Sequence, residues 1–234
     1  MRSERVIAVT TQRSEPDWLI DDLMANLRLW VADVLVLQVP KTGPWGHEGE
    51  QNATKREMLR KAGATWVLFV DPDERIEDRA AELVPPILHA AYQAGNRHVV
   101  YGFPLREMWT PDAYRVDGNW GEKMPRHRLF WLRRDASYPH KPIHSGTAPL
   151  STRRYREVLP VNMYHLKNIE PSNRVERAKA YMNADPDFVH QRAETSARNW
   201  DWMADETGLQ LEGIPPGRGF TPPYSRPYAF TAPA

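Results

Sequence analysis

The residues best suited to chemistry stand in one short run, Asp71-Pro72-Asp73-Glu74, where the apolar stretch Trp66-Val67-Leu68-Phe69-Val70 stops. Two carboxylates separated by one residue can share a hard cation, with oxygens of a bound diphosphate and water completing its shell. The plain alternative is an acidic turn that supplies solubility and a helix cap, since turns enrich aspartate anyway. For an Asp-x-Asp alone that plain reading is the commoner one, and the segment upstream shifts the balance toward chemistry. Trp66 to Val70 is short and rich in β-branched and aromatic residues, so it reads as a strand buried on both faces. Pro72 ends its ladder, and in an open α/β sheet ligands bind just beyond the carboxyl ends of the strands.

The elements that must hold this run can be read on either side of it. Val6 to Thr11 reads as a first strand, and Ser14-Glu15-Pro16-Asp17 as a helix start with Ser14 as N-cap and Leu19, Leu23 and Leu27 on one apolar face. Val34 to Val39 reads as a second strand. Strand, helix, strand at this spacing predicts a parallel crossover. Asn52 to Gly63 is helical in pattern, with Gly63 as its stop, and runs directly into the acidic strand. With Lys55-Arg56, Ala62, Trp66 to Val70 and Asp71-Pro72-Asp73-Glu74, this unit resembles glycosyltransferase family 2 and its relatives with the GT-A fold. Further along, Arg128-Leu129-Phe130 matches the strand that follows the acceptor region in those enzymes. Pro142-Ile143-His144-Ser145 and Tyr164-His165 stand where they carry their two histidine elements. The resemblance is good over about residues 5–80 and looser to about residue 185.

The resemblance implies a GT-A-like three-layer α/β/α sandwich with a mostly parallel, mixed central sheet. Residues 1–210 would form one domain, with a nucleotide-binding half at 1–80, an acceptor half at 95–170 and C-terminal helices at 171–208. It further implies a metal-dependent transferase, inverting and hexosyltransferase-like, that moves a sugar from a nucleoside diphosphate sugar to an acceptor hydroxyl. UDP-sugar is favoured as donor and GDP-sugar is the alternative. Thr10, Thr11 and Arg13 are then candidates for uracil or ribose, and Lys55, Arg56 and Asp71 for the diphosphate, where a guanidinium presents a planar fork. Gln38-Val39-Pro40 stands where the family carries an acidic residue on the nucleoside, a departure that leaves the base open. Asp71, Asp73, His144 and His165 are the candidate ligands for Mn²⁺ or Mg²⁺; imidazole suits manganese better than magnesium.

Several readings come from the residues themselves. The segment from Leu105 to Gly121 is aromatic and polar, and Trp109 and Trp120, with Arg128 after them, suit a sugar acceptor. The same pattern also fits a loop packed on its own rings. An inverting route needs a general base near the acceptor hydroxyl, and Asp117 and Glu122 are the candidates, with Asp112 behind them. The loop from Lys41 to Glu50 is rich in glycine and proline and can fold over a ligand. Arg79 to Leu83 and Ile87 to Ala94 are helical in pattern, with a break expected at Pro85-Pro86. Ser172 is the expected cap of a helix running to Tyr181, and a second helix is expected from about Phe188 to Asp205. From Ile214 to Ala234 there are six prolines and no periodicity, so residues 211–234 read as an extended or disordered tail that can cover a neighbouring subunit of a homo-oligomer.

Composition excludes some classes. At 234 residues the chain is long enough for one full core plus an appendage. A formal net charge of +1 gives no overall field for nucleic acid or an anionic membrane. Absence of cysteine removes disulfides, thiolate nucleophiles and cysteine-held zinc. No apolar run approaches the roughly 20 residues needed to span a bilayer, and the start lacks a signal-peptide core, so a cytoplasmic protein is expected. Two rivals remain. A nucleotidyltransferase could use a similar sheet, but it usually shows a glycine-rich loop near the first strand, and Thr10 to Arg13 contains no glycine. A non-catalytic carbohydrate- or nucleic-acid-binding module could use the tryptophans with Arg128, Arg133 and Arg134.

Overall fold

Alternation along the first strands decides the architecture. The computed structural model describes residues 5–40, 47–120, 125–142, 145–184 and 203–229. The strands are β1 (Val6–Gln12), β2 (Asp33–Gln38), β3 (Trp66–Phe69), β4 (Glu74–Ile76), β5 (Val100–Phe103) and β6 (Leu105–Glu107), followed by β7 (Ala113–Arg115), β8 (Arg126–Trp131), β9 (Arg156–Val158), β10 (Met163–His165) and β11 (Leu211–Gly213). The helices are α1 (Asp17–Leu27), α2 (Glu48–Lys61), α3 (Ala80–Gln93) and α4 (Pro171–Ala184). Val6, Ala8, Trp66 and Leu68 face one side of the sheet, with Leu23 and Leu27 of α1 and Val84 and Leu88 of α3. Ile7, Val9, Val67 and Phe69 face the other, with Leu59 of α2. Successive strand residues point to opposite faces, so a short strand with no polar residue must be covered twice.

The main sheet has the order β2-β1-β3-β8-β5-β9. β1 pairs in parallel with both β2 and β3, β8 is antiparallel to β3 and β5, and β9 is parallel to β5. The expected three-layer, mostly parallel sandwich is therefore what forms. Because β2 and β3 lie on opposite sides of β1, with α1 and α2 on opposite faces, the strand order reverses between β1 and β3. That is where an open sheet leaves a crevice. A smaller sheet, β4-β10-β6, continues from the acidic turn.

Several local expectations are corrected. Pro16, not Ser14, is the residue before α1, without a side-chain cap bond; the Glu15 carboxylate instead accepts the Arg13 and Ser14 amides at 2.7 and 3.1 Å. α2 begins at Glu48, ahead of the expected Asn52. α3 runs unbroken through Pro85 and Pro86. Both prolines are exposed, as are Ala81 and Glu82, whose carbonyls they leave without a helical partner. Water can satisfy those carbonyls, while Ala80, Val84, Leu88 and Ala91 keep the buried stripe continuous. Pro171, not Ser172, opens α4. The expected helix from Phe188 to Asp205 lies almost wholly outside the described residues.

The C-terminal arm is extended but anchored on its own chain. β11 pairs antiparallel with β7. Arg218 donates to the buried Glu77 carboxylate at 3.0 Å, and Thr221 donates to Asp78 from its amide at 2.9 Å and its hydroxyl at 2.7 Å. Phe220 packs at 5.1 Å from the Tyr164 ring, and Tyr224 donates to Glu170 at 2.8 Å. Through residue 229 the arm is extended and packs on its own chain. Among the described residues no helix is long and apolar enough to cross a membrane.

Candidate active site at the ends of the central strands

A cavity of about 550 Å³ opens at the carboxyl ends of β1 and β3. Thr11 at the end of β1 and Arg13 just past it line the cavity, with Asp71, Asp73 and Glu74 from beyond β3, Lys55 and Glu48 from α2, Arg128 from β8, His165 at the end of β10, Lys167 just past it, and Arg177 from α4. The volume lies in the range of small-ligand pockets.

The acidic turn is held from beneath by Arg75. This arginine is 1% exposed and donates to the carbonyls of Pro72, Glu74 and Leu19 at 2.9, 2.8 and 3.0 Å. Three carbonyls on one buried guanidinium fix the turn against α1. Asp71 and Glu74 are bridged by Arg128, which donates to them at 2.9 and 2.7 Å. A bulge supplies that arginine: on β8, Leu129 pairs with Tyr101 and His127 with Gly102, leaving Arg128 as the extra residue. A bulge re-aims one side chain without disturbing the rest of the strand. Gly102 permits it, because a Cβ there would lie 2.9 Å from the His127 ring.

Charge is tightly balanced here. The Asp71 side chain is 51% exposed at the cavity mouth. What burial it has pushes its pKa up, and the Arg128 charge outweighs this and holds it at about 2. Burial pushes Glu74 up to about 7, against the pull of Arg128. Asp73 is buried, which would raise it, but the charges of Lys167 and His165 keep it well below the usual carboxylate range. Three donors converge on its Oδ2: the Tyr228 hydroxyl at 3.2 Å, His165 Nε2 at 3.5 Å and Lys167 Nζ at 3.7 Å. Among the described residues no hydrogen bond reaches its Oδ1. The other ring nitrogen of His165, Nδ1, donates to buried Glu107 at 2.7 Å, and Asn168 donates to the same oxygen at 2.9 Å. Burial opposes the charge on His165, and Glu107 and Asp73 outweigh it and raise its pKa.

The two neighbouring cations on α2 have separate fates. Lys55 lines the cavity over the Phe69 ring, at 5.3 Å, and burial lowers its pKa to about 8. Arg56 is not in the lining; its guanidinium stacks 4.2 Å above the Tyr138 ring. Thr10 is fully buried behind Thr11 and does not line the cavity. The Thr11 hydroxyl and Arg177 Nε, both on lining residues, are buried without hydrogen-bond partners among the described residues. Glu48, in the first turn of α2, accepts the Ser145 amide at 2.8 Å, and burial raises its pKa. Close docking of the loop before Ser145 depends on Gly49, where a Cβ would meet His140 at 2.8 Å.

Other expected site residues lie elsewhere. Trp109 and Trp120 are 3% and 5% exposed and do not line this cavity. Their rings pack edge to face at 5.3 Å, with Arg174 stacked 3.9 Å from Trp109. They are a buried aromatic and arginine cluster, not an acceptor surface. Asp117 is also outside the cavity, gripped by Arg115 at 2.7 to 3.0 Å and by the Gln210 amide at 2.9 Å, so it cannot serve as the base. Asp112 accepts the Thr110 hydroxyl at 2.7 Å, again outside the cavity. Arg128 belongs with the carboxylates. Glu122, His144 and loop residues 41–46 lie outside the described residues.

The donor set suits a hard cation. Among the described residues no three histidine, aspartate or glutamate side chains converge as a finished metal cage. Mg²⁺ and often Mn²⁺ sites need less: one or two carboxylates, with substrate phosphates and water supplying the rest. Asp73 Oδ1, with Asp71 close by in sequence, meets that requirement, and His165 Nε2 holds the other Asp73 oxygen. Glu107 behind His165 fixes the ring that holds Asp73, the outer-shell part of such a site. Glu48, Glu107, Arg177 and Tyr228 escaped the sequence reading because nothing local marks them.

No family model matches the chain, and no curated protein does. Among solved structures, it is similar to a glycosyltransferase involved in the glycosylation of the major capsid of PBCV-1, at 9% identity and a TM-score of 0.34, covering 56% of this chain and 60% of that one. The chain thus spans about 60% of that protein's length. It is also similar to S. aureus TarS 1-349, at 12% identity and a TM-score of 0.39, covering 86% and 70% of the two chains. A third, described as a mannose-1-phosphate geranyltransferase from Thermus thermophilus, aligns at 13% identity and a TM-score of 0.31 over 92% and 70%. Likenesses this distant leave function to be argued from the chain's own site.

Proposed function

We propose that the chain transfers a glycosyl group from a nucleoside diphosphate sugar to an acceptor hydroxyl, with Mn²⁺ or Mg²⁺ held at Asp73. One observation carries this reading: Asp71 and Asp73 share a cavity with Lys55, Arg128, Lys167 and Arg177 at the reversal point of the sheet. The lining carries seven lysines and arginines against five carboxylates, and that excess suits a ligand with several negative charges. Thr11 and Arg13 on the cavity wall are assigned to the nucleoside, and Arg177, which lines the same cavity, to the diphosphate. The bound cation supplies Lewis-acid stabilisation of the leaving diphosphate. Lys55, Arg128, Lys167 and Arg177 stabilise the same developing charge from fixed positions, which costs little reorganisation during the reaction.

The acceptor proton needs a base on the cavity wall, and this role falls to Glu48. Burial raises its pKa, which makes it a stronger base than an exposed carboxylate. An inverting outcome, a hexosyl donor and UDP ahead of GDP belong to the same reading. It is tested by thermal melting with Mn²⁺ plus UDP, then GDP. A ligand that binds the folded state raises the midpoint, by an amount that grows with the logarithm of its concentration over Kd. The reading expects a shift that needs both components and vanishes in Asp73→Asn. No shift with either nucleotide would overturn it.

A further inference from the structure

The C-terminal arm ends its described course inside the cavity. Ser225, Arg226 and Pro227 are exposed, and then Tyr228 turns in and is 8% exposed. Its hydroxyl donates to Asp73 Oδ2 at 3.2 Å, its carbonyl accepts Asn173 Nδ2 at 2.9 Å, and the Trp18 ring meets it edge-on at 6.3 Å. The arm before it is pinned by Arg218 on Glu77 and Thr221 on Asp78. The fold thus delivers one side chain, from far along the sequence, to the carboxylate on which the proposed cation depends.

We infer that Tyr228 is a positioning residue of the donor site. With Lys167 and His165 it occupies one oxygen of Asp73, which holds the carboxylate with Oδ1 toward the cavity for a cation bound with a nucleoside diphosphate. The inference rests on the function proposed above. It makes the arm part of the site: the site is incomplete without residues that read, in sequence, as a loose tail.

Calorimetric titration of UDP with and without Mn²⁺ tests this on the full chain. The informative quantity is the gain in UDP affinity that Mn²⁺ confers. Tyr228→Phe keeps the ring against Trp18 and removes only the hydroxyl, and it should cut that gain about tenfold, the scale of one hydrogen bond to a charged group. Affinity for UDP without metal should stay as in the wild type. Tyr228→Gln keeps a donor without the ring and should recover part of the gain. An unchanged or larger gain in Tyr228→Phe would overturn the inference, as would a normal Phe variant beside a defective Gln variant, the pattern of packing alone. Failure of the wild-type protein to bind Mn²⁺ with UDP would instead overturn the proposed function.

Discussion

His165 donates through Nδ1 to Glu107 at 2.7 Å, and both side chains are buried. That bond fixes the ring so that Nε2 faces Asp73 Oδ2 at 3.5 Å. Partners of this kind commonly account for about 10- to 100-fold in metal affinity. Glu107→Gln should therefore weaken Mn²⁺ binding in the presence of UDP by about that factor. Manganese titration followed by electron paramagnetic resonance reads it directly, and wild-type affinity would remove Glu107 from the site.

Arg128 is the sole guanidinium seen bridging Asp71 and Glu74 among the described residues. The Glu74 side chain is 2% exposed, so removing its partner leaves a buried carboxylate uncompensated. Breaking a buried pair from one side costs about 3–5 kcal/mol. Arg128→Met should lower stability on that scale in urea unfolding, and raising acidity should recover part of the loss by protonating Glu74. Its pKa is already raised, so the recovery begins near neutrality and grows as pH falls.

Lys55 should give donor binding a pH dependence in the alkaline range. Burial lowers its pKa to about 8, so it is charged below that pH and neutral above it. Diphosphate affinity should then fall as pH rises through the alkaline range, somewhat above the free value because a bound dianion favours the charged lysine. Lys55→Arg should bind with no such fall, since arginine stays charged. For stability the sign is opposite. The unfolded lysine binds its proton more tightly, so this group's contribution rises with pH above about 8.

Glu48→Gln separates binding from proton abstraction. The amide preserves size and can still accept the Ser145 N–H, so nucleotide affinity and melting midpoint should hold. Transfer to the acceptor should fall by about 10²- to 10⁴-fold, the usual worth of a general base. Undiminished transfer would assign the base elsewhere.

How far the sequence carried the reading depends on whether a residue's role was local. Asp71 and Asp73 were visible because an apolar strand stops at them, and a strand end in an α/β sheet is a place with a known meaning. Lys55 and Arg56 could not be told apart from sequence. Adjacent helical residues point about 100° apart, and only packing on Phe69 and Tyr138 shows which faces the cavity. Trp109 and Trp120 read as a sugar platform because aromatics with polar neighbours describe a binding face and a packed loop equally well. The bulge at Arg128 depends on the partner strand, so its own sequence does not announce it. Tyr228 reaches Asp73 across 155 positions from a proline-rich arm without periodicity, and no local signal could have joined them.

The central claim is that a cation and a nucleoside diphosphate meet at Asp73. A crystal grown with Mn²⁺ and UDP, measured at the manganese absorption edge, tests it most directly. The account predicts an anomalous peak in coordination contact with the Asp73 carboxylate, with the diphosphate lying among Lys55, Arg128 and Lys167. Manganese and UDP bound away from this cavity, or a cavity that stays empty at saturating concentrations of both, would contradict it.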